Sequence, residues 1–141
     1  MSEQNKALAR RFYETVFNRK DVDAIDELCV QDFVDHSAMP GQAPGTEGVK
    51  EMFTALVRAF PDLRVDVEEL IAERDLVAAR VSGGGTHKGE LFGTAPTGKA
   101  LRFNAIDVIR FQNGKAVEVW HQGDDAIGLM QLGIQMPMPP A

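Results

Sequence analysis

Apolar residues recur at helical spacing from Ala7 onward, at Leu8, Phe12, Val16 and Phe17. This predicts a first helix, capped by Ser2 or Asn5 and ended by Asn18 to Lys20. Asp21 is placed to cap a second helix with the stripe Val22, Ile25, Leu28 and Cys29. Asp32 to His36 reads as a short extended piece, followed by a loop holding Pro40, Gly41, Pro44 and Gly45. Thr46 then caps a third helix through Phe60, with Val49, Met52, Phe53, Leu56 and Val57 inward, and Pro61 stops it.

At Leu63 the period changes. Leu63, Val65 and Val67 alternate with charged residues, as one face of a strand requires. Leu76 to Val81 is a second strand after a turn at Glu73 to Asp75, and Gly83 to Gly98 is a long connection. Leu101 to Phe111 is a long strand, Asn113-Gly114 a turn, and Val117 to Gly123 the last strand. A short helix with Leu129 and Leu132 closes the domain. Helices followed by a four-strand meander give an α+β architecture. A curved antiparallel sheet wraps the N-terminal helices and encloses an internal pocket.

A length of 141 residues suits one domain, taken as residues 1–135 with a flexible Pro-rich tail over 136–141. The net charge of −6 without a basic patch argues against nucleic acid and anionic membranes as partners. Met1 to Arg11 lack the apolar run of a signal peptide, and no stretch approaches the ~18 apolar residues that span a bilayer. Cys29, the only cysteine, can form no internal disulfide, so the expected location is a reducing cytoplasm. Its expected place is a small core position on the second helix, the other reading being a nucleophile.

The chemistry concentrates in the last hairpin. One face of its first strand carries Leu101, Phe103, Ala105, Asp107, Ile109 and Phe111, the more apolar face and so the inner one. Asp107 therefore needs a partner, since an isolated buried carboxylate is costly. The inner face of the next strand would be Val117, Val119 and His121. A two-residue Asn113-Gly114 turn would pair Phe111 with Ala116 and put His121 on the wrong face. A three-residue loop with Gly114 left-handed shifts the register by one and brings His121 beside Asp107. Such a pair can exchange protons near neutral pH, or serve as a buried structural pair.

Other polar candidates are Asp35 and His36 at the pocket rim, and His87 after a Gly-rich run, which can instead hold that loop. Asp124 and Asp125 precede the terminal helix, Asp125 the better cap and Asp124 the better site candidate. The three histidines lack metal-ligand spacing, so no metal is expected. Gly83-Gly84-Gly85 lacks the residues of a phosphate loop and reads as a bend or bulge. Phe33, Phe103, Phe111 and Trp120 are candidate pocket walls, with Trp120 also able to face a dimer or solvent.

Gly85-Thr86-His87-Lys88-Gly89-Glu90, Gly93, Pro96-Thr97-Gly98-Lys99 and Ile106 to Phe111 with Asn113-Gly114-Lys115 resemble the SnoaL-like polyketide cyclases. Val117 to Trp120, Asp124 to Gly133, Asp32 to His36 and Gly45 to Gly48 are similar too, so the resemblance runs from about Lys6 to Gly133. It implies the cone-shaped, cystatin-like α+β barrel shared with nuclear transport factor 2 and ketosteroid isomerase, and a homodimer through the open sheet. It also implies aldol ring closure of a polyketide ester, without metal or organic cofactor. In that family an Asp on the last strand works beside a His on the strand before. Here those positions hold His121 and Asp107, with the identities exchanged. The ketosteroid isomerase comparison implies an acid near Asp107 and a base near Asp35 or His36. The expected substrate is a small apolar carbonyl compound, polycyclic or polyketide-derived. Asp35, His36 or His87 would polarise its enolate oxygen while His121 abstracts or delivers a proton. Hydroxylation, isomerisation and epoxide opening are the alternative reactions, and a non-catalytic ligand-binding or dimerisation module is the alternative class. His121 pointing outward, or a pocket filled by Met and Phe side chains, would favour the module.

Overall fold

A computed structural model describes residues 2–137. Helix α1 (Ser2–Phe12) runs into a wider π-helical turn, Tyr13–Asn18. A 3₁₀ turn (Val22–Ala24) leads into the short α2 (Ile25–Leu28). Strand β1 (Cys29–Asp35), helix α3 (Gly45–Ala59), strands β2 (Arg64–Glu73), β3 (Leu76–Thr86), β4 (Ala100–Gln112) and β5 (Lys115–Gly123), and helix α4 (Asp125–Gln131) follow. The α+β architecture with a curved sheet around helices is as the pattern predicts.

The sheet has five strands rather than four, in the order β1-β5-β4-β3-β2. The piece read as merely extended, Asp32 to His36, belongs to β1 and its exit, and β1 runs parallel to β5. The sheet is therefore mixed, with β1 and β2 as its open edges. Irregularities sit in β1 between Cys29 and Val34, in β2 between Val67 and Glu69, and in the β4–β5 hairpin. Each inserted residue bends its strand, which curls the sheet over the helices.

The hairpin reaches the expected face alignment by another device. Asn113 (φ 52°) and Gly114 (φ 79°) form a two-residue turn, and Phe111 does pair with Ala116. One step further in, Arg110 pairs with Glu118, so Val117 is the extra residue of a β-bulge. The bulge restores the phase that the short turn loses, and Asp107 pairs directly with His121. Ala116, rather than Val117, joins Val119 and His121 on the inner face. Leu101, Ala105, Ile109 and Phe111 are all buried on β4. At about 1.5–3 kcal/mol per large apolar side chain, turning this face outward would outweigh any turn preference.

Several local expectations shift. The Gly83-Gly84-Gly85 run is neither bend nor bulge: it continues β3, pairing with Phe103, Arg102 and Leu101. Glycine is required because a Cβ at Gly83 would stand 2.6 Å from the Phe103 ring and one at Gly84 2.4 Å from the Leu101 carbonyl. Helix α3 begins at Gly45, in a left-handed conformation (φ 74°), so Thr46 already lies inside it and Pro44 holds the cap position. Helix α1 starts at Ser2, which leaves Asn5 within it. Asp21 does cap the second helical segment, accepting from the Ala24 N–H at 3.3 Å. Cys29 opens β1 instead of lying on the helix, and burial pushes its thiol up to about 12. A neutral thiol of that kind is no nucleophile at physiological pH.

The main core lies between the helices and the inner sheet face, around Ala9, Tyr13, Val16, Ile25, Val77 and Ile109. A second apolar cluster closes one end, where Phe60, Leu91, Leu101, Leu129 and Ile134 meet. Met136, assigned by the sequence to the loose tail, packs against this cluster, while residues 138–141 of that tail lie outside the described residues. Asn18 fixes the end of the π-helical turn: its amide accepts from the Val65 N–H (2.8 Å) and donates to the Val65 carbonyl (2.9 Å). Lys20 caps the same end through the carbonyls of Phe17 and Leu63. These ties set where Tyr13 meets the sheet.

Candidate active site

A cavity of about 240 Å³ lies between the helices and the concave sheet face. All eight phenylalanines of the chain and its one tyrosine line it, Phe33, Phe103 and Phe111 among them. Trp120 does not. It sits on the outer sheet face, stacked on His36 at 4.5 Å and overlaid by Arg110. β5 alternates, and Trp120 is out of phase with Val119 and His121.

The polar groups of the cavity gather at one end. His121 and Asp107 face each other across β5 and β4. The His121 backbone N–H and C=O both turn away from β4, to the Ser37 hydroxyl. Asp107 and His121 are thus a non-hydrogen-bonded antiparallel pair, the kind whose side chains approach most closely. His121 Nδ1 lies 2.6 Å from Asp107 Oδ1, and Nε2 lies 2.9 Å from Asp125 Oδ1. The second Asp107 oxygen accepts the Tyr13 hydroxyl at 2.5 Å. The result is a continuous row, Tyr13–Asp107–His121–Asp125.

Both imidazole nitrogens face carboxylate oxygens, so both carry protons. The hydrogen bond to Asp107, then that to Asp125, raises the His121 pKa to about 10 against the opposing effect of burial. Burial works to raise the Asp125 carboxyl, but the hydrogen bond and charge of His121 prevail and hold it below the usual value. Burial, followed by the charge and hydrogen bond of Asp107, pushes the Tyr13 hydroxyl well up, so it remains a neutral donor. At neutral pH His121 is an imidazolium: it can deliver a proton or stabilise an oxyanion, but it is not free to abstract one.

The structure brings Asp35 into the cavity wall. Its carboxylate accepts from the Ser37 N–H (2.9 Å) and the Gln42 amide (3.2 Å), and no cation pairs with it among the described residues. His36, the next residue, points to the other side of the sheet, where Nε2 meets Glu118 Oε2 at 2.8 Å. Asp124 and Asp125 exchange their expected parts. Asp124 occupies the cap position of α4 and accepts from the Asn104 N–H at 2.6 Å, whereas Asp125 faces the cavity. His87 is fully buried outside the cavity wall, packed on Phe60. Its Nδ1 accepts from the Thr97 N–H at 3.2 Å, so it holds the 87–99 connection.

The sequence pattern alone did not mark Tyr13 or Asp125 as site residues. Tyr13 shares the deepest stripe of the first helix with Ala9 and Val16, at i, i+4 and i+7 from Ala9. A lone tyrosine within such a stripe, needing a partner for its hydroxyl, was the available signal. Tyr13→Phe leaves one Asp107 oxygen unsatisfied in a buried place. The expected loss is about 1–3 kcal/mol in urea unfolding, with the cavity lining retained.

Among the described residues no group of three or more His, Cys, Asp and Glu side chains is arranged to hold a metal ion. No helix there is long and apolar enough to cross a membrane.

An α+β fold with a hydrogen-bonded row of ionisable side chains at the end of an apolar cavity defines the class of molecule. The family model for SnoaL-like polyketide cyclases matches residues 7–132. The chain belongs to that family. Its fold is similar to AclR of Streptomyces galilaeus, a proposed hydroxylase: 28% identity, TM-score 0.81, covering 99% of this chain and 91% of that one. It is also similar to IdmH of Streptomyces antibioticus, a proposed polyketide cyclase: 31% identity, TM-score 0.76, covering 93% and 99%. A proposed polyketide cyclase of Bacillus cereus is 30% identical, TM-score 0.78, covering 92% and 80%. No curated protein matches the chain.

Proposed function

We propose that this protein is a cofactor-independent acid/base enzyme that closes a ring by intramolecular aldol condensation. Its substrate would be an apolar carbonyl compound, polycyclic or polyketide-derived. The observation that carries this reading is the His121 ring held between the Asp107 and Asp125 carboxylates at the polar end of the cavity. Asp35 takes a proton from the carbon beside one carbonyl, and the resulting enolate carbon attacks a second carbonyl. The new C–C bond forms as that C=O π pair moves onto oxygen, which receives a proton from His121 Nε2 once Asp125 yields its place. Asp107 and Tyr13 keep the ring oriented and charged. His36, His87 and Asp124, each named by the sequence for this work, stand outside the cavity wall and take no part.

The cavity retains volume despite its Phe and Met lining, and His121 faces into it, which favours an enzyme over a binding module. We place it in the cytoplasm as a homodimer formed through the open sheet. The likeness to AclR supports hydroxylation as the second reading. β-Tetralone, a small apolar ketone, tests the proton chemistry directly. Exchange of its α-protons in D₂O should exceed the buffer rate, and His121→Asn should lower it about a hundredfold to ten-thousandfold. Exchange at the buffer rate in the wild-type protein contradicts the proposal.

A further inference from the structure

We infer that Ser37 is a positioning residue that fixes the proton donor and the proton acceptor of this site in one frame. The assignment rests on the acid/base reading of Asp35 and His121 above. β1 pairs with β5 through Val34 with Glu118 and Asp35 with Val119, and the His36 N–H makes a last ladder bond to the Val119 carbonyl at 3.0 Å. There β1 ends. The chain turns, with the Ala38 N–H reaching back to the Asp35 carbonyl.

The next two groups on that edge of β5 are the N–H and C=O of His121, and β1 supplies no backbone for them. Unpaired strand-edge groups cost free energy unless something satisfies them. The Ser37 hydroxyl does both tasks: it accepts from the His121 N–H at 3.0 Å and donates to the His121 carbonyl at 3.0 Å. A hydroxyl is the smallest side-chain group that can accept and donate at one atom. The backbone N–H of the same serine donates to Asp35 Oδ1 at 2.9 Å. One residue therefore grips the main chain under His121 and the carboxylate of Asp35. Gln42 holds the other Asp35 oxygen, but among the described residues Ser37 alone joins the two.

Loss of the hydroxyl frees the His121 main chain without touching its ring or the Asp35 carboxylate. Misplacement of a reacting group by a fraction of the contact distance lowers turnover more than binding. The test uses the wild type, Ser37→Ala and Ser37→Thr, which keeps the hydroxyl. Two readouts are taken: amide hydrogen exchange at His121, with Trp120 as the internal reference, and kcat and KM for β-tetralone α-proton exchange. In Ser37→Ala the His121 amide should exchange at least about tenfold faster, with Trp120 unchanged. kcat should fall about tenfold or more at constant KM, and Ser37→Thr should restore both. An unchanged His121 amide in Ser37→Ala overturns the assignment. So does unchanged kcat with a loosened amide, or a threonine variant that behaves like alanine. If the wild type does not exchange β-tetralone, the acid/base reading falls, and the amide measurement alone decides whether Ser37 anchors His121.

Discussion

Asp107→Asn should lower the His121 pKa from about 10 toward the ordinary imidazole value of 6.5, because it removes the largest cause of the elevation. The introduced amide oxygen can still accept from the ring, so ring orientation survives in part while the stabilisation of the charge is lost. Proton delivery should suffer accordingly: α-proton exchange of β-tetralone is expected to fall about a hundredfold or more at neutral pH. Stability should change its pH profile as well. A folded-state pKa above the unfolded 6.5 means that the imidazolium stabilises the fold fully below about 6.5. That contribution is lost as pH rises through about 10. Urea unfolding of the wild type should therefore show falling stability between these limits, and Asp107→Asn should flatten that slope.

Gly48→Ala should destabilise the fold markedly, although it adds only one methyl group to a helix. A Cβ at Gly48 would stand 1.7 Å from the Ala43 carbonyl oxygen and 3.0 Å from Gln42 Cγ. Backbone, not a flexible side-chain tip, blocks it, so the 38–44 loop must move off helix α3. Alanine gains about 1 kcal/mol of helix propensity over glycine. Overpacking costs about 3 kcal/mol at the upper end of its usual range. The net expectation is a loss of about 2 kcal/mol, read as a lower urea midpoint. The displaced loop also carries Gln42 away from Asp35, so β-tetralone exchange should fall beyond what the unfolded fraction explains.

The hairpin shows what the sequence can carry and what it cannot. Alternation along Leu101 to Phe111 shows which face is buried, and the cost of exposing it brings Asp107 and His121 together. The way the chain achieves this is not in the alternation: a bulge at Val117 and a longer loop at Gly114 yield the same faces. β1 leaves no strand pattern in the sequence, because Phe33 is its one deeply buried residue between Val30 and Asp35. A parallel edge strand far from its partner in sequence leaves no turn signal either. Tyr13 reads as one more helix core residue until β4 is placed beneath it. The exchange of Asp124 and Asp125 came from a single residue of helix phase, finer than capping preferences resolve.

The central claim is that His121 is held as an imidazolium between two carboxylates at the polar end of an apolar cavity. Titration of its ring nitrogens by ¹⁵N NMR tests this most directly. The expected result is both nitrogens protonated at neutral pH and a titration near 10. A midpoint near the ordinary 6.5 would contradict it.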